Sequence, residues 1–144
     1  MIKTNCDGRD GVDNLPRRYY YLDMQQVIFT TDEKILTPLY TALSDRDVCG
    51  ANFVLLENDK PIGFCRMEIS NVVLIAEFKL LPEYDIEENK DFFFRTLLFK
   101  LSLNDYTVVI EKEDGRLEKF GFKNVGGFMS VYSKDIVFPH ACGH

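Results

Sequence analysis

The chain has 144 residues, enough for one domain of ordinary size, and 46% of them are hydrophobic, including 12 Phe and 7 Tyr. That composition suits a packed core and excludes a disordered chain. A net charge of −6 and a pI near 4.9 argue against a duplex nucleic-acid binder, and no apolar run approaches the roughly 20 residues of a bilayer span.

Residues 1–25 read as an irregular arm. The run from Asp7 to Asp13 has calcium-loop composition but neither the spacing nor the closing Glu of such a loop. Arg17 and Arg18 before Tyr19, Tyr20 and Tyr21 form the only basic–aromatic cluster. It suits stacking on a single strand of nucleic acid, but a strand or strand entry accounts for it better, so no nucleic-acid partner is expected. The N-terminus lacks the apolar segment of a signal peptide, so a cytoplasmic setting is expected. Four cysteines, at 6, 49, 65 and 142, match no zinc or redox spacing; free thiols agree with a reducing compartment.

A short strand is predicted over 26–29. Thr30 and Glu33 have capping-box spacing for a helix whose stripe is Leu36, Leu39, Tyr40 and Leu43, with Pro38 as a restart, ending at 44–47. Strands over 53–57 and 62–69, joined by the turn 58–61, read as a hairpin. A turn at Ser70 and Asn71 leads to a long strand over 72–81, completing an antiparallel meander. Cys65 falls inside a strand and reads as a small core residue.

An acidic loop over 85–89 precedes a helix over 90–103. Phe93, Leu97 and Leu101 recur at helical spacing and Phe94 and Leu98 widen the apolar face, so this helix is expected to be buried; Asp91 and Arg95 can pair across one turn. A strand over 106–111, a short helix from Gly115 stopped by Gly121, and a last strand over 128–132 follow. The final strand is expected near a sheet edge, where strand pairing would build a homodimer. The long helix between 81 and 106 implies a crossover between parallel neighbours, hence a mixed α/β sheet. The expected organisation is an arm over 1–25, a domain over 26–137 and a tail over 138–144.

His140, Cys142 and His144 alternate in that tail. In an extended segment they face one side and, with Cys6, would suffice for one divalent ion; Ala141 and Gly143 favour a solvated terminus instead, and no metal is expected.

Three segments resemble, in order and spacing, those of the GNAT acyltransferase superfamily. They are the hairpin from Phe53 to Phe64 with its Asn58-Asp59-Lys60-Pro61 turn followed by Ile62-Gly63-Phe64, Leu80-Leu81-Pro82-Glu83-Tyr84 closing the fourth strand, and Leu117-Glu118-Lys119-Phe120-Gly121-Phe122. Over residues 26–137 the resemblance implies an α+β domain with a GNAT-like mixed central sheet. An antiparallel N-terminal meander, a buried crossover helix and a splayed parallel pair would compose it. It further implies acetyl-CoA or another acyl-CoA as co-substrate, bound where strands four and five part, and a small-molecule or peptide amine as acceptor.

Glu77 stands where some members carry a general base; a carboxylate in an apolar cleft would have the raised pKa that this task needs. Glu68 is a weaker candidate for the same role. Lys79, Leu80, Leu81, Asn89 and Lys90 are the positions expected at acyl-CoA, with the Leu80 and Leu81 N–H groups polarising the thioester carbonyl. Lys79 would alternatively neutralise Glu77 or extend to water.

Two departures stand out. The family's glycine-rich pyrophosphate loop aligns with Asp85-Ile86-Glu87-Glu88-Asn89-Lys90, which has no glycine and three carboxylates. The tyrosine that many members use to protonate the leaving thiolate is Leu117. An acyltransferase and a catalytically degenerate binding or interaction module are therefore both open.

Overall fold

The computed structural model describes residues 24–139. The basic–aromatic cluster, Cys6, and the trio His140, Cys142 and His144 lie outside the described residues.

The first strand, β1 (Gln25–Phe29), leads to helix α1 (Glu33–Leu43). Asp32, not Thr30, caps that helix: its carboxylate accepts from the Lys34 N–H at 2.9 Å, while the Thr30 hydroxyl accepts from Asp32 N–H. An Asp one residue before a helical stripe competes with the more distant Thr and also meets the helix dipole. Pro38 lies inside α1, which runs through it without a restart.

Strands β2 (Ala51–Glu57), β3 (Lys60–Ile69) and β4 (Val73–Leu80) form the meander. Their first turn is only Asn58 and Asp59, both left-handed at φ 51° and 70°, so Lys60 and Pro61 already belong to β3. Asn and Asp tolerate that region better than other side chains, and such a two-residue turn matches strand twist.

Helix α2 (Glu87–Ser102) starts three residues earlier than its apolar periodicity suggested. It crosses to β5 (Thr107–Ile110), which lies parallel to β4. A 3₁₀ turn over Gly115–Phe120 ends at Gly121, left-handed at φ 101°. A strand missed in the sequence, β6 (Lys123–Val125), pairs with β7 (Phe128–Tyr132) across Gly126 and Gly127, both with positive φ. The sheet order is β1-β2-β3-β4-β5-β7-β6. The last strand is thus not at the edge; the three-residue β6 covers it, and any strand-paired dimer at this end would form through β6.

Two cores flank the sheet. On one face Phe93, Leu97, Leu98 and Leu101 of α2 pack on Leu55, Met67, Ile75, Val108 and Met129, with Phe120 and Phe122 from the last turn. Cys65 is buried there, as expected. On the other face Leu36, Leu39 and Tyr40 of α1 cover Val54, Leu56 and Phe64, and the Tyr40 and Phe64 rings stack at 4.5 Å. Asp91 and Arg95 form the expected pair at 2.8 Å.

Candidate functional site

The site is built by two irregularities of β4. The first is a bulge: Arg66 pairs with Glu77 but Met67 pairs with Ile75, so Ala76 is the extra residue. Side chains alternate across a strand, and one inserted residue exchanges the faces beyond it. Val73 and Ile75 therefore point to the α2 core, as do Phe78 and Leu80 beyond the bulge, while Glu77 and Lys79 turn to the α1 face.

The second irregularity is a splay. β4 and β5 pair only at Val73 with Val108 and at Leu74 with Val109. From Ile75 onward β4 has no strand partner on that side. Leu81 N–H donates to Ile62 O at 2.8 Å, so in an antiparallel ladder Lys79 and Glu77 also turn their main-chain groups to β3. The N–H and C=O groups of Phe78 and Leu80 accordingly face the opening. Leu80 thus offers a free N–H there, and Leu81, expected to do the same, spends its own on β3. Gly63 permits the tight pairing: a Cβ there would stand 2.8 Å from Lys79 O and 2.9 Å from Leu80 Cγ.

Glu77 is the centre of a charged cluster on the α1 face. Ser44 Oγ, at the C-cap of α1, lies 3.0 and 3.1 Å from its two oxygens; Arg66 Nε lies at 3.2 Å and Lys79 Nζ at 3.3 Å. Arg66 is 3% exposed and Glu77 13%. Arg66 also pairs with Glu68, and Lys79 Nζ donates to Leu43 O at 2.9 Å. Burial alone would raise the Glu77 carboxyl, but the bonds from Ser44, Arg66 and Lys79 outweigh it and hold it below the usual range. The raised pKa expected from an apolar cleft is therefore not what the fold supplies: a buried guanidinium faces the carboxylate. Ser44 and Arg66 went unnoticed in the sequence. A lone arginine among Phe64, Cys65 and Met67 was the available signal for Arg66; Ser44 gave none.

Beside this cluster α1 and the 44–48 loop enclose an open depression of about 390 Å³, lined by Glu33, Thr37, Thr41, Asp45, Arg46 and Asp47 among others. Its wall is fixed by Tyr40, whose hydroxyl bonds Asn52 Oδ1, and by Asn52 Nδ2, which donates to Cys49 O at 2.9 Å.

On the α2 face the rings of this core lie in series. Phe78 lies 5.7 Å from Phe94, which lies 5.4 Å from Phe120, so aromatic side chains link β4, α2 and the 3₁₀ turn. Leu117, half-buried, packs against the same core.

The β4–α2 loop begins with the 3₁₀ turn Pro82–Tyr84. The N-cap of α2, Ile86, makes no side-chain cap bond, and Glu87 and Glu88 occupy the first turn. Asn89 is buried and engaged: its Nδ2 donates to Tyr84 O at 2.8 Å and its Oδ1 accepts from Gln25 Nε2 at 2.9 Å. Lys90 Nζ pairs with Glu87 at 3.3 Å and Asp85 at 3.6 Å. The open main chain of β4 fits a pantetheine arm. The loop fits a pyrophosphate poorly, since its carboxylates outnumber its one cation and claim it. Of the seven residues singled out from sequence, Leu80 faces the opening, Glu77, Lys79 and the weaker candidate Glu68 share the α1-side cluster, and Leu81, Asn89 and Lys90 are held in the loop or by β3. Among the described residues no group of three or more His, Cys, Asp or Glu is placed to hold a metal, and no helix is long and apolar enough to cross a membrane.

No protein-family model matches the sequence, and no curated protein matches it significantly. Solved structures do resemble it. A GNAT-family acetyltransferase from Brucella melitensis in complex with acetyl-CoA superposes with TM-score 0.55 at 12% identity, over 76% of this chain and 88% of that one. The Escherichia coli N-acetyltransferase for a ribosomal-protein alanine gives 0.53 at 11%, over 76% and 94%. Arabidopsis thaliana Naa50, bound to a CoA bisubstrate analogue, gives 0.50 at 14%, over 75% and 96%. At these identities the likeness shows the fold alone: a GNAT-like fold in which the described residues form a mixed seven-stranded sheet.

Proposed function

We propose that the chain is an N-acyltransferase that moves an acetyl or longer acyl group from acyl-CoA to an amine. The observation that carries this reading is the β4/β5 splay, which leaves the Phe78 and Leu80 main chain open beside a carboxylate on the opposite face. In this reading the pantetheine amides pair with those groups and Leu80 N–H polarises the thioester carbonyl. The amine attacks that carbon, the carbon–sulfur bond breaks, CoA leaves as thiolate, and the proton shed by nitrogen passes through water to Glu77. A carboxylate held below its usual pKa is a weak base, so the reading requires Glu77 to act on an amine already losing its proton. The acceptor is a small-molecule or peptide amine. Cys49 and Cys65 are free thiols, in keeping with a cytoplasmic setting. The test is release of CoA thiol from acetyl-CoA and longer acyl-CoAs against a panel of amines, with Glu77→Gln as comparison. Amine-dependent release that falls at least about tenfold in the variant supports the reading; release without dependence on amine or on Glu77 contradicts it.

A second reading has its own observation. The carboxylates of Asp85, Glu87 and Glu88 and the absence of a phenol at Leu117 suit a GNAT-like domain that has lost catalysis and serves as a binding or interaction module. In that case the thiol assay stays at background for every acyl-CoA and amine.

A further inference from the structure

The Glu77 carboxylate is filled by its neighbours. Oε1 takes Ser44 Oγ at 3.1 Å and Arg66 Nε at 3.2 Å; Oε2 takes Ser44 Oγ at 3.0 Å and Lys79 Nζ at 3.3 Å. These contacts match the about four acceptor sites that a carboxylate offers. A proton bound for Glu77 therefore arrives through one of these partners. A guanidinium keeps its protons in a protein, and the Lys79 ammonium, held by Leu43 O at 2.9 Å, has no lone pair to take one up. A hydroxyl gives its own proton while its oxygen receives another.

Ser44 is also the member of this cluster that lines the depression beside α1; Glu77, Arg66 and Lys79 do not. Its hydroxyl is not spent on the helix end, where the Ser44 backbone N–H donates to Tyr40 O at 2.9 Å. The Arg46 N–H donates to Ser44 Oγ at 3.1 Å, which fixes the oxygen and uses one of its two acceptor lone pairs. Among the described residues the other lone pair is left for a group standing in the depression.

We propose that Ser44 is a catalytic residue of the acyl transfer, the last carrier of the proton on its way to Glu77; this rests on the acyltransferase reading above. As the amine nitrogen bonds the acyl carbon and the carbon–sulfur bond breaks, the proton shed by nitrogen passes to a water in the depression. That water gives a proton to Ser44 Oγ while the Ser44 O–H proton moves to a Glu77 oxygen. Water and serine end neutral, as they began, and Glu77 ends as the acid. Arg66 keeps a carboxylate partner in Glu68 while Glu77 is protonated.

Steady-state release of CoA thiol by the full chain, with acetyl-CoA and the amine that gives most release, tests this assignment. Ser44→Ala is expected to lower kcat at least about tenfold and to leave the KM for acetyl-CoA within about twofold of the parent. Ser44→Thr, which keeps a hydroxyl, should recover most of the loss. A pH profile separates a relay from a hydrogen bond that only keeps Glu77 ionised. The other titratable groups around Glu77, Arg66 and Glu68 of β3, Lys79 of β4 and Tyr40 of α1, are the same in parent and variant. A serine that only favours the ionised carboxylate would cost rate in acid and nothing at about pH 9, whereas a missing relay costs rate throughout. A parent whose release depends on amine and on Glu77, with Ser44→Ala at the parent kcat or with a deficit gone at about pH 9, would overturn the assignment and leave the acyltransferase reading standing. A parent with no amine-dependent release would overturn both.

Discussion

The Ser44 hydroxyl lies 3.0 Å from Glu77 Oε2, so the C-cap of α1 is tied to the strand that opens the sheet. The same carboxylate takes Arg66 and Lys79, and the cluster joins three elements at the rim of the depression.

The acid stability of the protein should report that cluster. The folded pKa of Glu77 is lowered, because the hydrogen bonds overcome the rise that burial imposes. Its contribution is therefore present above the unfolded value of about 4.3 and is lost as pH falls through the folded value. Glu77→Gln should cost about 2–3 kcal/mol at pH 7, since it leaves buried Arg66 with only Glu68. Urea unfolding of both proteins at pH 7 and near pH 3 is expected to show that difference shrinking in acid.

Gly50 guards the cluster from the other side. Its φ is +72°, and an added Cβ would meet Arg66 Cγ at 2.9 Å and Met67 O at 3.0 Å. Gly50→Ala should lose about 2–4 kcal/mol by thermal or urea unfolding. Gly126→Ala, with φ +65° but open space around it, should lose only about 1 kcal/mol.

The rings on the α2 face make a stability prediction. Phe94 contacts Phe78, Phe120 and Phe122. Phe94→Ala should lower unfolding free energy by about 3 kcal/mol, which urea melts check.

The loop charges make a separate prediction. Asp85→Ser/Glu87→Ser frees Lys90 from its two partners and removes two carboxylates from the mouth. Acetyl-CoA affinity should rise about tenfold at low salt, and the gain should shrink at high ionic strength, where charges this exposed are screened. Calorimetry across a salt series reads the effect.

Much of the fold was legible because its signals are local. Helix α2 announced itself through Phe93, Leu97 and Leu101, and the crossover it makes fixed the parallel pair of β4 and β5. Three things were not legible. β6 is three exposed residues stabilised by pairing across Gly126 and Gly127, with no hydrophobic pattern of its own. The start of α2 was masked because Glu87 and Glu88 serve the helix dipole rather than an apolar face. The bulge at Ala76 is a matter of register between strands, yet it decides which face Glu77 meets. From the sequence Glu77 lay beside Phe78 and Lys79 in an apolar strand; only the tertiary structure brings Arg66 and Ser44 to it, and with them the opposite sign of pKa shift.

Acetyl-CoA titrated into the full chain at low salt, followed by calorimetry, tests the central claim most directly. Micromolar binding that weakens with salt and is displaced by CoA is the predicted result: it would mean that the open main chain of Phe78 and Leu80 receives the thioester despite the acidic loop. No heat and no displacement at millimolar acetyl-CoA, repeated with a long-chain acyl-CoA, would contradict it.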